Sequence, residues 1–479
     1  MTLDPRTPLP VSFEGLRERA RRHGEALGMP TLIAIAAVAA VLAISALAML
    51  DYMMGQQSHR LIKLLFGAIG LGAIAGLPHF GLSLFPVLLP LLGLFPKLPI
   101  PGVNTLNALV LGVFFSFALI KVMRREPFLR GGWLHLPIAA FLVFCVFSIM
   151  RAAAFPTGHT YQAAPAGMSL FRSGMSFAVY FVAIAMLRGA KDRTHLVWGV
   201  VLGLAIETAF TFAYGRNLHG RATGTIGQAN ELGTFLAMFS VFALSLAFGA
   251  RAWWQRGFAL AVAVCGSIGV FMTVSRGAMM ALAAAALLVA ARSSRVFFVL
   301  LVVGVATNPF WMPEYVKERL STTQTEDDES DDVTLDAGAQ SRVNTWQTLM
   351  VLIQEHPLDG VGYDALGDVL PQAGAALGLR VKDSSHNTYL RILAELGIFG
   401  MMVFLWFWWR CVRLCEAGIR VAADRFERQV AVGAGAGFLV LAISCWFGDR
   451  FWDVQVTGNL WVLCAVIDHR VQEYLGVRA

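Results

Sequence analysis

Charge is what this sequence has least of. Only 14% of its 479 residues are Asp, Glu, Lys or Arg, against about 25% in soluble domains. Hydrophobic residues make up 57%, and the mean hydropathy is +0.63. That scarcity excludes an ordinary soluble chain and points to a polytopic integral membrane protein. Cysteine is also scarce. Cys145, Cys265, Cys445 and Cys464 fall inside apolar runs, while Cys411 and Cys415 sit at the end of one. None lies in a stretch assigned below to the exterior, so neither a disulfide nor a Cys-based metal site is expected. Internal repeats, a frequent mark of transporters, are lacking. So is a cleavable signal peptide: the first apolar run, residues 31–50, follows a basic arm carrying Arg17, Arg19, Arg21 and Arg22 and has the length of a retained span.

Apolar runs are there in quantity. About fourteen recur between residues 31–50 and 454–467, several shorter than the ~20 residues a span needs. The pair flanking Pro78 reads as half-helices or interfacial segments. The expectation is an all-α integral membrane protein with about 12 (12–14) transmembrane helices. Thirty-four Phe and twelve Trp suit lipid contact and interfacial belts. The chain divides into an N-terminal arm (1–29), a first block of spans (30–311), one long loop (312–390), and C-terminal spans with a tail (391–479). With the N-terminus inside, 23 of the 38 Lys and Arg fall on the cytoplasmic side, which puts the long loop outside. The net charge of +7 is then explained by anionic membrane lipid, and no nucleic-acid partner is called for.

The long loop reads in three parts. Residues 326–332, all acidic but for Ser330, form a solvated, mobile stretch. They include no Gly, and oxygen-ligand cation loops need turn residues at set positions, so no metal is expected there. From Ser341, the spacing of Val343, Trp346, Met350 and Ile353 predicts an amphipathic helix ending before Pro357. It would lie on the membrane or pack over the spans. The turn Pro357-Leu358-Asp359-Gly360-Val361-Gly362 leads to a second short helix that stops near Gly378, and the two make a roof over the membrane domain.

The loop closes on Ser384-Ser385-His386-Asn387-Thr388-Tyr389-Leu390 and runs into an apolar stretch. Ser384 or Ser385 is the expected helix N-cap, which puts His386 in or beside the first turn. The helix dipole there favours neutral imidazole, as a general base requires; the plain alternative is an interfacial histidine with no chemistry. Four arginines reach the same exterior face: Arg276 in a turn between two apolar runs, Arg216 and Arg221 in a glycine-rich connection, and Arg342 at the head of the amphipathic helix. Planar guanidinium forks suit a phosphate or diphosphate; singly, each arginine equally well grips lipid phosphate.

The segment Ser385-His386-Asn387-Thr388-Tyr389-Leu390, followed by Ala394-Glu395-Leu396-Gly397, resembles a signature of the O-antigen ligase and polymerase superfamily. Thr273-x-Ser275-Arg276-Gly277 and His356-Pro357-x-x-Gly360-x-Gly362 resemble its two other landmarks, in the same order. The likeness covers roughly residues 193–400. It implies a glycosyltransferase of the GT-C type in the bacterial inner membrane, with its active site and one long loop facing the periplasm. The implied partners are an undecaprenyl-diphosphate-linked glycan as donor and, in a ligase, a sugar hydroxyl of lipid A–core as acceptor. Transfer would invert the anomeric centre and use no metal and no cofactor. His386 takes the family's catalytic histidine position and Arg276 that of a functional arginine. Arg216 or Arg221 matches a second, and Arg342 is a further candidate for the diphosphate.

Three other readings stay open at this stage. An O-antigen polymerase and a protein O-oligosaccharyltransferase would use the same donor. A lipid-linked glycan transporter or flippase would also put arginines in a cavity, but with polar or broken spans at mid-membrane.

Overall fold

The computed structural model describes residues 78–94, 110, 112–115, 117–118, 121–122, 131–155, 161–214, 216, 220–307, 324–327, 330–335, 337–381 and 384–476. Backbone contacts divide the chain into Met1–Gly81 and Leu82–Ala479, and the site lies wholly in the second unit. The expected arm and the apolar runs 31–50 and 61–77 lie outside the described residues.

Within an apolar layer every backbone N–H and C=O must find its partner inside the chain, and runs of Leu, Val, Phe and Ala do so as helices. The elements are α1 (Pro78–Leu88), a 3₁₀ turn (Pro90–Leu94), α2 (His135–Ala154), α3 (Ala163–Met186), α4 (Ala190–Ala213) and α5 (Ala229–Gly249). They continue with α6 (Trp253–Met272), α7 (Arg276–Ser293), α8 (Arg295–Ala306), strands β1 (Gln324–Asp327) and β2 (Ser330–Leu335), α9 (Ala337–Glu355) and α10 (Leu366–Ala376). Last come α11 (Thr388–Val421), α12 (Arg425–Cys445) and α13 (Val454–Tyr474). Eight described helices, α2 to α7 with α11 and α12, are long and apolar enough to cross a membrane. The chain is an all-α, multi-pass membrane protein.

Helix α13 is buried along most of its 21 residues. Its polar groups find partners in the neighbouring helices, as buried polar groups in an apolar layer must. Asp468 accepts from the Tyr180 hydroxyl and, at 2.7 Å, from the Trp133 backbone N–H. His469 Nδ1 lies 2.9 Å from Arg193 Nη1. Prolines explain two further contacts. Pro90 has no N–H to offer the carbonyl of Pro86 four residues back, and Asn459 Nδ2 donates to that oxygen instead, at 2.9 Å. Pro90 O in turn accepts from Gln455 Nε2 at 3.1 Å.

The two ends of the bundle differ. At one end arginines pair across helices: Arg193 with Glu427 and Glu473 (2.9 and 2.8 Å), Arg251 with Asp424 (2.7 Å) and Arg292 with Glu416 (3.0 Å). The opposite end carries α9, α10 and the turn before α11. Beneath it lies an aromatic core around Phe451, whose ring centroid is 5.0 Å from that of Phe404, 5.9 Å from Phe177 and 6.2 Å from Trp461.

The roof differs from its sequence forecast in three respects. The acidic run, forecast as a solvated, mobile stretch, has residues 326, 327 and 330–332 in the antiparallel pair of β1 and β2, with Gln324 opposite Leu335 and Asp327 opposite Ser330. The amphipathic helix begins earlier, and its buried stripe is Thr345, Thr348, Leu349, Leu352 and Ile353, while Met350 is 46% exposed. Threonine can sit on the buried face because its hydroxyl bonds its own helix: Thr345 to Ser341 O (2.8 Å) and Thr348 to Asn344 O (3.0 Å). The helix cap is Asn387, whose Oδ1 accepts from Tyr389 N and Leu390 N at 2.9 and 3.1 Å, and neither Ser384 nor Ser385. As forecast, α10 ends before Gly378, which takes the left-handed conformation (φ 72°) that glycine permits there.

Candidate functional site

The turn 384–387 is held by two other segments, the connection between α12 and α13 and helix α9. The Ser385 hydroxyl sits 2.8 and 2.9 Å from the two carboxylate oxygens of Asp449, in the connection between α12 and α13. The Ser385 carbonyl accepts from Trp346 Nε1 on α9 at 3.2 Å. Thr388 donates to Gly448 O at 2.9 Å and accepts from Arg450 N at 3.3 Å. His386, between these anchors, is half-buried with φ 52°. That conformation is unfavourable for a residue with a Cβ, and histidine is among the few types enriched there. Its Nδ1 lies 3.5 Å from Ser384 Oγ. His386 stands one residue outside the cap, so the dipole acts on it from beyond the helix end, more weakly than on a first-turn residue.

The same connection reaches the arginines. Arg450, 7% exposed, pairs with Glu231 in the first turn of α5 at 2.8 Å. Gly448 gives that guanidinium its room, since a Cβ at 448 would meet it at 2.7–2.9 Å. Next to Glu231, Asn230 Oδ1 accepts from Arg221 Nη2 at 2.7 Å, and Arg221 Nε donates to Thr273 O at 2.8 Å. Arg221 thus ties the α4–α5 connection to the turn before Arg276. Val274 in that turn has φ 50°, an outlier for a β-branched residue. Arg276 is the first residue of α7 and is half-buried, and Gly277 packs on the Phe447 ring. Arg342 lies one helical turn before Trp346, on the same face of α9. Arg276, Arg221 and His386 therefore gather at one end of the bundle around residues 447–450, and Arg342 lies one turn from Trp346, which bonds the Ser385 carbonyl. Arg216, whose backbone bridges to Ala222 beside Arg221, is exposed, and its Nη1 donates to Gly220 O at 2.9 Å within its own loop.

Sequence reasoning missed Arg391, Asp449, Arg450 and Glu207. Arg391 donates to Asp364 (2.9 Å) and Glu395 (3.1 Å) and lies 4.0 Å from Asp449. Asp449 and Arg450 are ionisable groups at the ends of apolar runs, and the argument applied to Arg276 would have found them. Fully buried Glu207 accepts from Thr225 N at 2.9 Å and holds the loop that follows Arg221. No spacing in the sequence announces that pairing.

Beside Ser385 lies a cavity of about 350 Å³ lined by Tyr161, Asp364, Asp368, Arg391, Glu395 and Asp449, among others. Burial, then the carboxylates of Glu395 and Asp364, push the Tyr161 phenol well above its ordinary value. It stays a neutral donor, giving its proton to Tyr363 O at 2.6 Å.

The glycine landmarks form the floor of this region. Val361 N and Gly362 N donate to Ala394 O and Glu395 O at 2.9 and 3.0 Å. Ile398 N donates to Pro357 O at 2.9 Å. The last bond exists because α11 breaks at Gly397 (φ 66°), freeing N–H groups for the 357–362 turn. A Cβ at Gly397 would overlap the Leu358 backbone, and one at Gly360 (φ 70°) that of Glu395.

Residues 260–405 match the family model described as O-antigen ligase. No curated protein matches the chain. The match spans α6 to the first half of α11 and includes Arg276, Arg342, His386 and Arg391. It ends before the Asp449–Arg450 connection. Over these residues the chain is similar to the O-antigen ligase family.

Proposed function

We propose that this protein is a member of the O-antigen ligase superfamily and an O-antigen ligase of the bacterial inner membrane. On the periplasmic face it transfers a glycan from undecaprenyl diphosphate to a sugar hydroxyl of lipid A–core. The observation that carries the reading is the 447–450 connection. One side of it holds the turn bearing His386, and the other adjoins α5 and the turn bearing Arg221 and Arg276. A base and a set of cations are thus fixed relative to each other by one short segment.

His386 takes the proton of the acceptor hydroxyl as its oxygen attacks the anomeric carbon. The bond from that carbon to the diphosphate oxygen breaks, and the electron pair leaves with undecaprenyl diphosphate. Attack from the face opposite the leaving group inverts the centre. Arg276 and Arg221, with Arg342 from the roof, stabilise charge growing on the diphosphate without needing to reorganise. Nothing in this scheme calls for a metal ion or a cofactor. Arg216, exposed and engaged within its own loop, is the weakest member of the arginine set.

The test is reconstitution of the purified protein with lipid-linked glycan and lipid A–core. Product on the core is expected. Longer lipid-linked chains would make the protein a polymerase, glycan on a serine or threonine of an added protein an oligosaccharyltransferase, and donor moved across the bilayer unreacted a flippase.

A further inference from the structure

We infer that the cavity beside Ser385 seats the acceptor's sugar ring, and that it selects a ring without phosphate; this rests on the transfer reading above. A volume of about 350 Å³ falls low in the ~300–1,000 Å³ range of ligand pockets. It suits a sugar ring rather than a lipid tail. Ser385 is both a wall of the cavity and the chain neighbour of His386, so the chamber adjoins the turn that bears the imidazole.

The lining is of the wrong sign for the donor's diphosphate. Asp364, Asp368, Glu395 and Asp449 face a single cation, Arg391. Carboxylates accept hydroxyl protons in strong, charge-assisted bonds and repel phosphate. Arg391 engages Asp364 through Oδ1 alone. Exposed Asp368 makes no ion pair among the described residues. Carboxylate oxygens therefore remain for a ligand. Asp364 holds φ 61°, a left-handed backbone in a residue with a side chain, and such outliers collect at binding sites. The partition is made by consecutive residues of opposite sign. Asp449 turns to Ser385 and the cavity, and Arg450 turns to Glu231 and the arginine side. One peptide thus separates an anion-repelling chamber from an anion-attracting one.

The test uses the full-length protein in nanodiscs and core oligosaccharide freed of lipid A and of phosphate, with binding followed by saturation-transfer NMR. Saturable binding is expected for the unaltered protein. Asp364→Asn and Asp368→Asn should each weaken it about tenfold, as loss of a hydrogen bond to a charged group does. Arg276→Ala should leave it within about twofold, undecaprenyl diphosphate should not compete, and the phosphorylated oligosaccharide should bind about tenfold more weakly. If Asp364→Asn fails to fold because Arg391 loses a partner, Asp368→Asn decides alone. Absence of saturable binding, undiminished binding by Asp368→Asn, or displacement by undecaprenyl diphosphate overturns the inference. The transfer reading fails differently: the oligosaccharide would bind here, yet receive no glycan when lipid-linked donor is supplied.

Discussion

Asp449 holds Ser385 across 64 residues of sequence, its Oδ1 and Oδ2 lying 2.8 and 2.9 Å from one serine hydroxyl. The contact fixes the backbone on which His386 stands. It also makes the loop between α12 and α13 part of the site, although that loop lies beyond the stretch matching the family model. Asp449→Asn and Ser385→Ala should each lower kcat for transfer, by up to ~10²-fold if the imidazole moves by an ångström. KM for the donor should change little, and Ser385→Thr, which keeps the hydroxyl, should recover much of the loss. A donor KM that rises in step with the fall in kcat would place Asp449 on the diphosphate instead.

His386→Ala removes the proposed base. Transfer should fall ~10²–10⁴-fold while the lipid-linked donor still binds. The residual rate should lose the acid limb of its pH profile, since no imidazole remains to be protonated. Single-turnover transfer in detergent checks this, and near-full activity in the variant would remove His386 from the chemistry.

Arg221 spans two acceptors, Thr273 O and Asn230 Oδ1, with separate arms of its guanidinium. A lysine brings one ammonium and no fork. Arg221→Lys should therefore behave nearly as Arg221→Ala, loosening the turn before Arg276 and raising the donor KM. Arg276→Glu should abolish transfer with the protein still folded. Arg216→Ala should cost less than either. Donor titrations rank the three.

Gly397 and Gly360, both at positive φ, lie against backbone, Gly397 against that of Leu358 and Gly360 against that of Glu395. Gly397→Ala should destabilise the protein by about 1–3 kcal/mol for the backbone conformation alone, with the overlap on Leu358 added. Thermal unfolding in detergent reads the loss, and an unchanged Tm would mean that α11 straightens freely.

At the other end of the bundle Asp424 caps α12, accepting from Glu427 N at 2.8 Å, and pairs with Arg251. These donors outweigh its partial burial and hold its carboxyl below the usual range. A depressed folded value means the contribution is present above the unfolded carboxylate pKa and disappears as pH falls through the folded one. Asp424→Ala should cost about 1 kcal/mol at neutral pH, and its Tm should converge with that of the unaltered protein in acid.

Much of the site was legible because its signals are local. His386 before an apolar run, Arg276 between two runs and a short helix ending before Gly378 each show within a few residues. The cap was misread because Ser384, Ser385 and Asn387 are all competent, and the choice fell to whichever the clamp from Asp449 and Gly448 left at the helix start. The buried face of α9 was misread for a related reason. A threonine counts as polar in a periodicity, yet it is buried without penalty once its hydroxyl returns to its own helix.

By itself the sequence determined that the chain is helical and membrane-spanning, since apolar runs in lipid have no other way to satisfy their backbones. It also led to the expectation that His386, Arg276, Arg221 and Arg342 share one face, because lysine and arginine distribute unevenly across a membrane. Only the tertiary structure decided that Asp449 and Arg450 stand between His386 and the pair Arg221 and Arg276, and that Arg391 closes a chamber with carboxylates from three separate segments. Apart from Arg391 with Glu395, four apart on one helix, those contacts join residues tens to hundreds of positions apart. No periodicity encodes them; they exist only once packing brings the helix ends together.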